Sequence, residues 1–170
     1  MGIVSANLIV DDTGREILST LAHAGTRLSN ITKLEYSTYH SPSSPGSSIL
    51  AIALQFDMDY DLTDANTTWQ GRLVFEPYLT GTVTKGAWQT WDPRAGAWWA
   101  SGNPGKTLCP IGAPCTWSQV LSHFPNAGIR NAVGLLHFKA GGPWAPGFDG
   151  NVDAFTIGVA GLGTTYDFEP

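Results

Sequence analysis

Residues 54–62 read LQFDMDYDL, an unbroken alternation of Leu54, Phe56, Met58, Tyr60 and Leu62 with Gln55, Asp57, Asp59 and Asp61. Successive side chains of a strand point to opposite faces, whereas apolar positions on a helix recur every three or four residues. A period of two over this length therefore predicts a half-buried β-strand, with a core on one face and a row of polar side chains on the other. The neighbouring stretches TKLEYSTY and WQGRLVFEPY are equally rich in β-branched and aromatic residues, and the turn clusters SPSSPGSS and LTDANTT separate them. Further strands are predicted at GTVTKGAWQTW, GAWWA, VGLLHFKA, NVDAFTIGVAG and TTYDF. Short strands spaced by Gly, Pro and Asn turns define an all-β fold, an antiparallel β-sandwich or jelly roll.

One helix interrupts the strands. In PCTWSQVLSHFPNAG, Thr116 precedes Gln119 by three residues in a capping-box pattern, and Pro125 ends the run. Trp117, Val120, Leu121 and Phe124 form one apolar stripe over about 117–124, which belongs on the sandwich. A single β-sandwich domain is expected over 25–170. Residues 1–24 are expected as an N-terminal edge segment or linker: NLIV fits an edge strand, and REILSTLA fits either a helical turn or a linker.

A chain of 170 residues can bury one sizeable core. Its 20 Gly, 11 Pro and only 14% charged residues suit turn-rich β structure. The net charge of −5 and the lack of any basic run exclude nucleic acid and anionic lipid as expected partners. No apolar stretch approaches the roughly 20 residues that cross a bilayer, so no membrane insertion is expected. The start MGIVSANLIV has no secretory-signal pattern, which favours a mature fragment over an intracellular chain.

Cys109 and Cys115 flank the tight loop CPIGAPC. Two thiolates without a second pair do not complete a metal tetrahedron. A disulfide is favoured over two free buried thiols. Closing so short a loop adds about 2 kcal/mol in the chain-entropy account and points to an oxidising compartment.

Four of the seven tryptophans fall within AWQTWDPRAGAWW, residues 87–99. The turn cluster Asp92 to Gly96 between two aromatic runs predicts a β-hairpin, with Trp91 opposite Trp98 on one face and Trp88 with Trp99 on the other. One pair belongs to the core and the other to a surface, and contiguous exposed indoles mark an interaction site. This reading turns Trp91 and Trp98 outward as a platform for sugar rings, with Trp88 and Trp99 as the alternative pair, and has Gln89, Asp92 and Arg94 bonding the hydroxyls. Trp144, in the loop AGGPWAPGFDG, is either a second platform residue or a plug over the core.

Asp57 and Asp59 on one strand and Glu76 on a neighbour permit the paired carboxylates of a glycoside hydrolase, set about 5–5.5 Å apart in retaining enzymes. A solvated polar face is the simpler account of them. DMDYDLTDANTT fails the EF-hand pattern, because Leu62 stands where Gly is needed and Thr68 where Glu is needed. Asp61, Asp64 and Asn66 still offer oxygens for a structural Ca2+, as do Asp149, Asn151 and Asp153; no other cofactor is expected. His23, His40, His123 and His137 have no metal-ligand spacing, and neither a nucleophile elbow nor a phosphate-cradling loop is present.

Taken in order, LEYSTY, DYDLTDANTTWQGRLVFEPY, WQTWDPRAGAWWASG, PCTWSQVLSHFPNAGI, GFDGNVDAFTIGV and TTYDFEP resemble a module of secreted and cell-surface bacterial proteins, from Gly25 to Pro170. The resemblance implies a β-sandwich of carbohydrate-binding-module or jelly-roll type, secreted or at the cell surface, joined to other domains of a larger extracellular protein. It transfers no catalytic residues. The expected function is thus a non-catalytic extracellular module that binds a polysaccharide or glycan. The alternatives are a glycoside hydrolase and a structural or adhesive surface module.

Overall fold

The computed structural model describes residues 4–131, 133–142 and 144–168. Its strands are β1 (Ala6–Asp11), β2 (Arg15–Thr20), β3 (Ile31–His40), β4 (Ala53–Asp59), β5 (Arg72–Phe75), β6 (Trp88–Trp91), β7 (Ala97–Ala100), β8 (Cys115–Thr116), β9 (Gly128–Ile129), β10 (Leu136–Gly141), β11 (Gly147–Val159) and β12 (Leu162–Tyr166). They make two antiparallel sheets that enclose one core, as expected of a sandwich. The first sheet runs β1-β11-β3-β6, and β12 also pairs with β11. The second runs β2-β10-β4-β5-β7-β8, and β9 lengthens the pairing of β4.

Strand β11 is long enough to serve both β1 and β12 because a bulge between Asp153 and Thr156 re-aims it midway. There Ala154 takes a positive φ of 52°. The N-terminal segment contributes an edge strand to each sheet. NLIV lies in β1, and REILST is neither helix nor linker but strand β2, in register with β10 from Arg15↔Gly141 to Thr20↔Leu136. The first three and last two residues of the expected domain bounds lie outside the described residues.

The helix forms as α2 (Trp117–His123), after a four-residue helical turn α1 (Gly105–Leu108). Its capping box closes in both directions: Gln119 N donates to Thr116 Oγ1, and Thr116 N donates to Gln119 Oε1 at 2.8 Å. Trp117, Val120 and Phe124 are buried. Cys109 and Cys115 are joined in a disulfide. Among the described residues, no helix is long and apolar enough to cross a membrane.

β4 shows why the core sits where it does. Leu54, Phe56 and Met58 face the opposite sheet, and Phe56 stacks on Trp98 with centroids 5.3 Å apart. Trp98 also touches Phe75 and Trp117, which gathers four aromatic rings from the second sheet and α2. The polar face of β4 is not half-solvated as its alternation predicts: all seven residues of the strand are buried. β4 lies between β10 and β5; the segment before β5 places Trp69 and Gln70 on the aspartates, and Arg72 reaches Asp57 from the first position of β5 itself.

The tryptophan segment is an arch rather than a hairpin. β6 pairs with β3 in the first sheet (Tyr36↔Trp91), whereas β7 pairs with β5 in the second (Phe75↔Trp98). The crossing is made by a 3-10 turn, Pro93–Ala95, capped by the Asp92 carboxylate, which accepts from Arg94 N and Ala95 N. Gly96 follows, and a Cβ at that point would run into the Phe75 ring. Trp91 and Trp98 therefore enter the same core from opposite sheets, 8% and 0% exposed, and the expectation that they form an outward platform is corrected. Both indole N–H groups are satisfied internally, Trp91 by Thr38 Oγ1 and Trp98 by Pro93 O, each at 2.8 Å. The pairing of faces read from the sequence holds with its sign reversed. Trp88 and Trp99 are the outward residues, one on each side of the sandwich.

Candidate functional site

The outer face of the second sheet carries the site. Register places His137 of β10, Gln55 of β4, Val74 of β5 and Trp99 of β7 in one cross-strand row. Lys139 lies beside Ala53 in the next row, and Glu76 follows the end of β5. Loops complete a cleft of about 320 Å³ lined by Gln55, Glu76, Tyr78, Trp99, Lys139 and Trp144, with Ile49, Leu50 and Ile111 among the apolar contacts.

Glu76 is the carboxylate of this cleft. Its Oε2 accepts from Trp99 Nε1 at 3.0 Å, and the Tyr78 hydroxyl also bonds it. Burial holds its carboxyl above the usual carboxylate range, against the pull of those two bonds and of the Lys139 charge. Lys139 is shifted the other way. Burial lowers its ammonium from the ordinary value, the positive charges of Arg72 and Arg15 add to that, and Glu76 opposes them. Lys139 Nζ reaches Gly142 O at the long distance of 3.5 Å.

Beneath them, fully buried His137 faces Gln55 Oε1 through Nε2 at 3.1 Å, while its Nδ1 has no partner. Burial first, and then the Arg72 charge, lower its pKa to about 4, so the ring is neutral at physiological pH. The half-buried Trp144 packs edge-on against Phe148 at 5.2 Å while lining the cleft, so it is at once the plug and the candidate wall that its loop setting left open.

The other expected site residues lie elsewhere. Buried Asp57 accepts from Arg72 Nε at 3.0 Å, and from Trp69 Nε1 and Leu135 N at 3.4 Å. Asp59 accepts from Asp61 N at 3.0 Å and Gln70 Nε2 at 3.3 Å. Neither lines the cleft, so the trio Asp57, Asp59 and Glu76 is not assembled around it. Gln89 closes a local loop, donating to Thr82 O and accepting from Thr84 N. Asp92 caps the arch, and Arg94 Nη1 donates to Thr32 O at 2.6 Å. These three brace the arch and its approach, and none of them lines the cleft.

Asp64 and Asn66 are exposed and Asp61 is partly buried, and each side chain closes its own turn by accepting from Asn66 N, Thr68 N and Thr63 N respectively. Asp149 and Asn151 are bridged by Asn7 Nδ2, and Asp153 accepts from Ala154 N at the bulge. The His/Cys/Asp/Glu cluster with metal-like convergence among the described residues is Cys109, Cys115 and His123, and the disulfide consumes both thiols.

Gln55, Tyr78 and Lys139 were not read as site residues from the chain, and Trp99 only as a member of the alternative tryptophan pair. The alternation in VGLLHFKA and GAWWA contains the signal for Lys139 and Trp99. Which face is outward follows only once each strand is assigned to a sheet. Fold and site together define an antiparallel β-sandwich with an aromatic and polar cleft on the outer face of one sheet. No protein-family model, no curated protein and no solved structure matches the chain.

Proposed function

We propose that the protein is a non-catalytic, extracellular carbohydrate-binding module whose ligand lies in the cleft of the second sheet. The observation that carries this reading is the convergence of Trp99, Trp144 and Tyr78 with Glu76, Gln55 and Lys139 in one cavity. A sugar ring has apolar C–H faces that stack on aromatic rings and hydroxyls that both donate and accept. A cleft with aromatic walls and both kinds of polar group matches those needs, and its volume falls within the roughly 300–1,000 Å³ of ligand pockets. The non-catalytic part is supported by Glu76 being the one carboxylate among the lining residues, since glycoside hydrolysis ordinarily uses two. The disulfide supports an oxidising, extracellular setting, in which the module is one part of a larger surface or secreted chain.

The test is a titration with a panel of soluble polysaccharides followed by tryptophan fluorescence, together with Trp99→Ala and Trp144→Ala. Each variant is expected to weaken binding by about tenfold, the scale of a well-packed aromatic anchor. An unresponsive protein across the panel would remove the reading, and new reducing ends on incubation would remove its non-catalytic part.

A further inference from the structure

We infer that the cleft is built for an anionic glycan and seats the carboxylate of a uronic acid on Lys139 and Gln55. This rests on the glycan reading of the cleft and goes beyond it by naming the class of sugar.

The argument is one of unmatched donors. The cleft holds one anion and one cation among its lining residues, but only the anion is provided for. Glu76 receives an indole N–H at 3.0 Å and a phenol O–H, so the protein itself supplies two donors to its charge. Lys139 Nζ has one carbonyl at 3.5 Å, beyond an ordinary charge-assisted bond of about 2.7–2.9 Å. No carboxylate of the described residues lies within ion-pair distance of Lys139; the two ion pairs are Lys33 with Glu35 and Arg72 with Asp57. Arg15 and Arg72 add to the positive potential it feels.

Gln55 supplies the second donor. Its Oε1 faces the Nε2 of a neutral His137 and accepts that N–H, which leaves the Gln55 amide N–H₂ without an acceptor among the described residues. Lys139 and Gln55 stand on adjacent strands, one diagonal step apart on the same face, a separation that long side chains bridge. An ammonium held only by a carbonyl at 3.5 Å, and an amide without an acceptor among the described residues, are matched by a group with two oxygens and a negative charge. A sugar carboxylate has that shape, and its ring would stack on the tryptophans of the same cleft.

Four polymers test this: polygalacturonate, alginate, hyaluronan and carboxyl-reduced polygalacturonate, each titrated at low and high NaCl with tryptophan emission as readout. At least one uronate polymer is expected to bind at least about tenfold more tightly than the reduced polymer, and the preference should shrink with salt as charge is screened. Lys139→Met should abolish the preference, while Lys139→Arg should retain it; thermal melts of both variants check that they fold. Neutral polymers binding as well as all three uronates, or a preference unchanged in Lys139→Met, would overturn the inference and leave the glycan reading standing. Failure of these four and of the neutral panel together would instead bring down the glycan reading itself.

Discussion

Trp99 and Glu76 are tied by an indole N–H that donates to a carboxylate oxygen at 3.0 Å, from β7 to the residue just beyond β5. The bond fixes the ring that lines the cleft and holds the acid that faces it. Positioning of the aromatic wall and tuning of the carboxyl are therefore one arrangement.

That arrangement has a pH signature. Glu76 has a folded-state pKa raised above its ordinary 4.5, chiefly by burial, so its contribution to stability is present below the unfolded value and lost as pH rises through the folded one. Glu76→Gln stays neutral and still offers an oxygen to Trp99 and Tyr78. It is expected to melt above the wild type at pH 7.5, with the gap closing at pH 4. Calorimetry at the two pH values checks this, and a gap of equal size at both would contradict it.

His137 carries the opposite sign. Its pKa is depressed from 6.5 to about 4 by burial, so the neutral ring contributes stability above pH 6.5 that is lost as pH falls toward 4. The depression corresponds to roughly 3 kcal/mol at full expression. Urea titrations between pH 7.5 and 4.5 are expected to show this loss in the wild type and a flatter profile in His137→Gln. Parallel profiles would mean that another group dominates acid destabilisation.

The inverted faces of the arch predict unequal costs for two tryptophans. Trp98→Ala removes a fully buried indole from among Phe56, Phe75 and Trp117 and should cost about 3–5 kcal/mol. Trp88 is 36% exposed and leans on Tyr39 at 5.6 Å, so Trp88→Ala should cost on the order of 1 kcal/mol or less. Chemical denaturation measures both, and similar losses would contradict the assignment of faces.

Strand identity and helix boundaries were readable because they rest on local signals: the period of two in β4, the Thr116–Gln119 box, and the Cys109–Cys115 loop all form as expected. What local pattern did not carry was partnership. Nothing in AWQTWDPRAGAWW says that β6 pairs with β3 and β7 with β5, since both choices satisfy the same alternation. With the partners mistaken, Trp91 and Trp98 moved outward, and the roles of Asp92 as a cap and Arg94 as a brace went unread. The buried aspartates show the same limit. An alternating strand predicts a polar face, but the cover that Trp69 and Arg72 place over Asp57 depends on a distant turn. Glu76 was reached by placing RLVFEPY on a strand beside β4; Lys139 and Gln55 required the register.

The arch is one of several places where consecutive strands pass from one sheet to the other, as β1 to β2, β2 to β3, β3 to β4 and β5 to β6 also do. Neither layer can then assemble from a contiguous stretch of chain, because each awaits segments far away in sequence. Such topologies pay loop-closure entropy before non-local pairing compensates it, which places folding in the millisecond-to-second range rather than in microseconds. Cutting the chain near its middle would not yield one sheet and the other; it would yield two pieces with the halves of both.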